Sequence, residues 1–330
     1  MPSIAFFSTH RSFPWARQLE ARLPAVEPAF REDWHITVQR EEEDCRLLVV
    51  YDEPAPSFST MVPRENRLVV LSEPPGISTY RPRYLDQFGH VLGPIEPVGS
   101  TAHWIRGQPA LPWFFGIGFS KSGLVTNLSF DALAHLAPPE KRPELSVVLS
   151  GKSKLPKHKA RLAFVDALKA RLGTRLHIFG RSFQEISDKA EAILPFAYHL
   201  VLENNDISHF WTEKTADAYL GWALPVFSGC VNIGDYFPEG SFVALDIAKQ
   251  TAAIDRIERL LDENLYQRHL PMIGEARARL LGPHNLAIRV RELAEGIPES
   301  QKLLAPTALY PNSHFSLYHR LRKALRPAKA

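Results

Sequence analysis

Residues 198–246 read YHLVLENNDISHFWTEKTADAYLGWALPVFSGCVNIGDYFPEGSFVALD, and the fold follows from this stretch. His199 to Leu202 reads as a buried strand, with Leu200, Val201 and Leu202 an unbroken apolar run, the pattern of a strand covered on both faces. A polar loop follows, then a helix opening at Thr212, then a second apolar strand around Leu224-Pro225-Val226. Thr212 suits the N-cap, because its hydroxyl can accept from a free amide of the first turn, and Glu213 and Lys214 then fall at N1 and N2. That helix end carries roughly half a positive charge and several unpaired N–H groups, which suit a phosphate. A lysine at N2 opposes the helix dipole and so points to an anion, although a solvent-exposed lysine fits the same letters. Glu213 suits the dipole without any further role; beside a nucleotide it can also accept from ribose hydroxyls.

Outward from this stretch the same alternation continues. Upstream lie a strand at Leu145 to Leu149, a basic loop from Ser150 to Lys157, and a helix from about His158 to Leu172 whose apolar face is Leu162, Val165, Leu168 and Leu172, with Gly173 as its C-terminal cap. A strand at Arg175 to Phe179 and a short helix at Asp188 to Leu194 complete the series. The first half of the chain carries its own set: a strand at Ser3 to Ser8, a helix from Trp15 to Leu23, and aliphatic strands at Arg46 to Tyr51 and Arg67 to Leu71. Acids follow both aliphatic strands, Asp52-Glu53 and Glu73, where functional groups of an open α/β sheet gather. Asp52 reads as a turn former or cap, whereas Pro74-Pro75 hold Glu73 extended at the strand end. Phe88 to Phe119 is rich in glycine, proline and aromatics and shows little helical periodicity. Phe119 to Glu144 has linker composition apart from a short helix at Asp131 to Leu136. The expected class is α/β, with two Rossmann-like domains facing each other across a cleft: residues 1–125, residues 126–300, and a basic tail at 301–330. Flavodoxin-like pairs and periplasmic-type binding proteins share that pattern, so function has to come from the site.

Composition narrows the classes. With 330 residues, 45% apolar and 23% charged, the chain can bury two cores. A net charge of +3 excludes a whole-surface nucleic-acid binder. Cys45 and Cys230 lie far apart, so neither a disulfide framework nor a zinc site is expected. No run approaches the ~18 apolar residues of a membrane span, and the start MPSIAFFSTHRSF lacks the features of a signal peptide, so a cytoplasmic protein is expected. His10 and Arg11 fall in the first β–α loop.

Five blocks, in order, resemble glycosyltransferase family 10, the α1,3/4-fucosyltransferases: Ser150 and its basic loop leading to Arg161-Leu162-Ala163-Phe164-Val165; Phe179-Gly180-Arg181 with Asp188-Lys189; Glu203-Asn204; Phe210-Trp211-Thr212-Glu213-Lys214 with Leu224-Pro225-Val226; and Asp235-Tyr236-Phe237-Pro238-Glu239-Gly240-Ser241-Phe242. The resemblance implies a GT-B architecture and a GDP-fucose donor, with no cofactor and no metal. It places Arg161 and Lys214 on the diphosphate, with Ser150 and Lys152 in the phosphate loop, and Asn204, Phe210 and Glu213 toward the ribose or sugar. Phe210 departs from the tyrosine common in the family and loses its hydroxyl. The resemblance makes Glu73 the base of an inverting transfer to a glycan hydroxyl, oligosaccharide or lipid-linked. Pro74 stands where many members have asparagine.

Residues 313–330 set Phe315, Leu317, Leu321 and Leu325 among basic side chains, an amphipathic pattern suited to weak association with an anionic membrane surface, here the inner face. Three other readings share these residues: a GT-B transferase with another nucleotide sugar, a non-catalytic nucleotide- or sugar-binding protein, and a glycosidase using Glu73 and Glu213 as its acid pair.

Overall fold

The computed structural model describes residues 1–20, 30, 33–54, 56–74, 77–149 and 156–316. The chain divides into two compact units: one comprises Met1–Glu20, Pro28–Ala110 and Leu286–Ala330, and the other holds Leu111–Asn285, each in its described residues.

The first unit is built on β1 (Ser3–Ser8), β2 (His35–Val38), β3 (Cys45–Tyr51), β4 (Phe58–Thr60), β5 (Arg67–Val70), β6 (His90–Gly93) and β7 (His103–Arg106), with short helices α1 (Ala16–Leu19) and α2 (Pro82–Leu85). Six of these strands form one parallel sheet in the order β2-β1-β3-β5-β6-β7. β6 and β7 lie in the stretch whose glycines and prolines gave no clear period. They are short, and tertiary pairing decides such strands more than local preference does.

The second unit opens with the hairpin β8 (Ile117–Ser120) and β9 (Gly123–Thr126), then α3 (Phe130–Ala134), β10 (Arg142–Val148), α4 (Pro156–Leu172), β11 (Leu176–Phe179), α5 (Ala190–Ile193), β12 (Phe196–Leu202), α6 (Glu213–Leu220), β13 (Leu224–Ser228) and β14 (Val243–Ala244), and closes with α7 (Gln250–Glu263) and α8 (Tyr266–Leu281). Its sheet is parallel in the order β11-β10-β12-β13-β14. All seven residues of β12 are buried, and each fully buried aliphatic side chain among them stabilises by about 1.5–3 kcal/mol. Both units are α/β with parallel sheets, as the aliphatic runs foretold.

The units divide elsewhere than at the expected 125/126 and 300/301. Hydrogen bonding draws the hairpin into the second unit: the Phe119 amide donates to Ser187 O, and Asp188 accepts from the Gly116 amide and Asn127 Nδ2. After Asn285 the chain returns to the first unit through α9 (Leu286–Gly296), which packs on β3 and α1. Then β15 (Thr307–Leu309) pairs antiparallel with β4. Residues 301–316 are thus not a free tail; 317–330, most of the proposed membrane-facing segment, lie outside the described residues, as do Ser150 and Lys152. No helix among the described residues is long and apolar enough to cross a membrane.

Candidate donor site and acceptor-side carboxylate

In the second sheet β10 and β12 are neighbours although β11 separates them in sequence, so the strand order reverses between them. The carboxyl ends of strands at such a switch point are where open α/β sheets bind ligands. Arg161 projects from α4, the helix after β10, and Asn204 follows β12. The Arg161 guanidinium donates through Nη1 to Asn204 Oδ1 and closes the switch point. Arg161 is only 7% exposed, and its buried Nε has no hydrogen-bond partner among the described residues. Burial draws the guanidinium below its ordinary value, with Glu203 and Glu213 opposing that shift. A buried guanidinium with an unsatisfied N–H suits a negatively charged partner such as a phosphate oxygen.

Glu203 organises the loop between β12 and α6. Its buried carboxylate accepts from the Thr212 amide at 2.8 Å, Thr212 Oγ1 at 2.6 Å and Thr215 Oγ1 at 3.0 Å. Gly229 backs it: a Cβ there would come within 2.5 Å of Glu203 Cβ. The N-cap forms as expected, with Thr212 Oγ1 accepting from the Lys214 amide at 3.4 Å and Glu213 opening the helix.

Lys214 Nζ lies 3.1 Å from Glu213 Oε1 and 3.7 Å from Glu203 Oε2. Its unfavourable position at N2 is therefore already offset by two internal carboxylates. Burial by itself would lower the Lys214 ammonium, but Glu213 and Glu203 outweigh it and raise the group. Burial by itself would raise the Glu213 carboxyl, but Lys214 and Lys189 bring it down to about 2. Lys189 completes the cluster, 3.8 Å from Glu213 and 2.6 Å from Asp217, whose other oxygen accepts from the Phe114 and Phe115 amides. Three cations and three carboxylates thus lie together, and among the described residues Arg161 Nε is left without a partner.

Arg161, Asn204, Glu213 and Lys214 come together at the carboxyl ends of β10 and β12. Phe210, in the loop between β12 and α6, is 2% exposed. Sequence reasoning assigns no role to Glu203 or Lys189; the signal for Glu203 is its place at the end of a buried strand, nine residues before a threonine cap. Gly180, of the Phe179-Gly180-Arg181 block, has φ +129°, and a Cβ there would lie 1.8 Å from Leu149 O, so only glycine lets β11 end against β10.

In the first unit Glu73 is exposed just beyond β5 and lines a cavity of about 250 Å³ with Leu71, Tyr80, Pro94, Ile95 and Glu96. Such a pocket can seat an apolar sugar face beside a carboxylate.

Residues 140–271 match the family model for the C-terminal domain of glycosyltransferase family 10 (fucosyltransferase). No curated protein matches the chain. Similar solved structures include an alpha1,3-fucosyltransferase, 17% identical over 89% of this chain and 88% of that one with a TM-score of 0.49. An alpha1,3-fucosyltransferase with GDP is 17% identical over 82% and 81%, and one with GDP-fucose 16% over 82% and 82%, each with a TM-score of 0.48. Residues 140–271 thus match the C-terminal domain of glycosyltransferase family 10.

Proposed function

We propose that this protein transfers L-fucose from GDP-fucose to a hydroxyl of a glycan acceptor, oligosaccharide or lipid-linked, with inversion at the anomeric carbon. The observation that carries the reading is the buried Arg161 with its open Nε, bonded to Asn204 at the switch point of the family-matched domain. Arg161 and Lys214 take the diphosphate; Asn204 and Glu213 face the ribose or sugar, with Phe210 behind them and Ser150 and Lys152 in the phosphate loop. As the acceptor oxygen attacks, the bond from the anomeric carbon to the phosphate oxygen breaks, and its electron pair leaves with GDP. Glu73, on the first unit, takes the acceptor proton. The developing negative charge on the β-phosphate falls to Arg161, Lys214 and the amides opening α6, so the reading requires no metal ion.

GDP release from GDP-fucose, GDP-mannose and UDP- and dTDP-sugars, with water as the acceptor, tests it. The expected result is turnover of GDP-fucose that EDTA leaves unchanged and that Glu73→Gln lowers by about 10²–10⁴-fold. Turnover of another sugar nucleotide alone would replace the donor. GDP-fucose turnover that survives Glu73→Gln intact would remove the base.

A further inference from the structure

The first sheet has its own switch point, between β1 and β3, and two side chains meet there that the transfer reading leaves unused. Asp52 follows β3, is 6% exposed, and holds a left-handed backbone with φ 59°. A non-glycine residue in that region costs of order 1–3 kcal/mol, and such residues persist only where their surroundings hold them. Here the surroundings are explicit. The carboxylate accepts from the Ser72 amide at 2.7 Å, from the Ser72 hydroxyl, and from Tyr80 Oη at 2.6 Å. Tyr84 Oη donates to the Asp52 carbonyl. His10 Nε2, from the turn after β1, stands 3.6 Å from the second carboxylate oxygen.

Ser72 directly precedes Glu73, and Tyr80 closes the segment that Glu73 opens. One buried carboxylate therefore ties down both ends of the segment that carries the acceptor-side acid. Asn312 fastens the far end: its Nδ2 donates to Thr79 O at 2.8 Å, and its Oδ1 accepts from the Arg81 amide at 2.9 Å. The groups around Asp52 are His10, Tyr80, Tyr84, Glu53 and Glu73.

We propose that Asp52 is a positioning residue for Glu73, holding the base where it meets the acceptor hydroxyl, and that His10 is the cation that balances Asp52 in that role. This inference rests on the reading of Glu73 as the base. A general base works only within hydrogen-bond reach of the proton it removes, and a shift of ~1 Å costs on the order of 10²-fold. The Asp52 carboxylate draws the His10 imidazole toward its charged form, against the effect of burial, and Glu73 adds in the same sense. Burial and the neighbouring Asp52 push the Tyr80 hydroxyl far up, which keeps it a donor.

GDP release from GDP-fucose with water as the acceptor is compared in the parent, Glu73→Gln, Asp52→Asn, Tyr80→Phe and His10→Gln. Asp52→Asn keeps the shape and the bond from the Ser72 amide but cannot accept from both hydroxyls or balance His10. It is expected to lower kcat by 10–100-fold with the donor KM within twofold, and to move the acidic limb of the kcat profile to lower pH, because a negative charge beside Glu73 is gone. Tyr80→Phe lowers kcat by about tenfold on the same donor KM. A purely structural role would lower Tm and leave the acidic limb in place. If Asp52→Asn does not fold, Tyr80→Phe and His10→Gln decide through the same readouts. Loss of turnover in Glu73→Gln beside parental kcat and pH profile in the other variants overturns this proposal alone. Parental turnover in Glu73→Gln, or none in the parent, overturns the base reading and this proposal with it.

Discussion

Replacing Glu203 by glutamine changes one atom and removes the charge on which the entry to α6 is built. The carboxylate accepts three hydrogen bonds and faces Lys214 at 3.7 Å. The amide oxygen of glutamine can keep the bonds from the Thr212 amide and Thr215, but its nitrogen then confronts Thr212 Oγ1, which already accepts from the Lys214 amide and Nζ. At least one charge-assisted bond is lost, at about 1.5–3 kcal/mol, and Lys214 loses part of its compensation. The expected total is about 2–4 kcal/mol. In a unit of this size each kcal/mol moves Tm by about 2–4 °C, so a fall of roughly 10 °C is expected in differential scanning calorimetry. The Thr212 cap and the α6 amides would shift together, and calorimetric titration with GDP should show about tenfold weaker binding. A variant with Tm within 1 °C of the parent and the same GDP affinity would refute the organising role of Glu203.

Three further outcomes are expected. Arg161→Lys keeps the charge but not the planar fork, so GDP affinity should drop at least tenfold in titration calorimetry with little change in Tm. Gly180→Ala drives a Cβ onto Leu149 O at 1.8 Å in a left-handed backbone, so the strand end must move; urea denaturation should show a loss of several kcal/mol. His199 is buried on β12 against Ser146 Oγ at 2.8 Å, and burial lowers its imidazole to about 3 from an ordinary 6.5. The unfolded chain therefore binds a proton that the fold refuses between those values, and this contribution is present above pH 6.5 and lost as pH falls toward 3. The urea midpoint of His199→Asn should accordingly vary less between pH 6.5 and 4.5 than that of the parent.

The asymmetry between the two halves shows where sequence reading works. In the second unit β10, α4, β11, β12, α6 and β13 were legible, because buried parallel strands announce themselves as aliphatic runs and Thr212 announces a helix start. In the first unit β6 and β7 carry too little period to be read from the sequence: at four residues each, among prolines and glycines, they exist through pairing, β6 with β5 and β7 with β6. Asp52 reads as a turn former or cap from the sequence alone, whereas its partners are brought to it by the fold, Ser72 and Tyr80 from the segment beyond β5 and His10 from the turn after β1.

By itself the sequence determined the chemistry each unit offers: Arg161, Asn204, Glu213 and Lys214 in a strand-loop-helix order in the second, and Glu73 beyond a buried strand in the first. The tertiary structure decided how those charges are used. Parallel pairing of β10 with β12 brings Arg161 to Asn204, 43 positions apart, and only in that fold does Lys214 find its counter-charges in Glu203 and Glu213 while Arg161 keeps a donor open. Hydrogen-bond partners distant in sequence leave no period in it, and the strength of a charge depends on the burial that packing imposes.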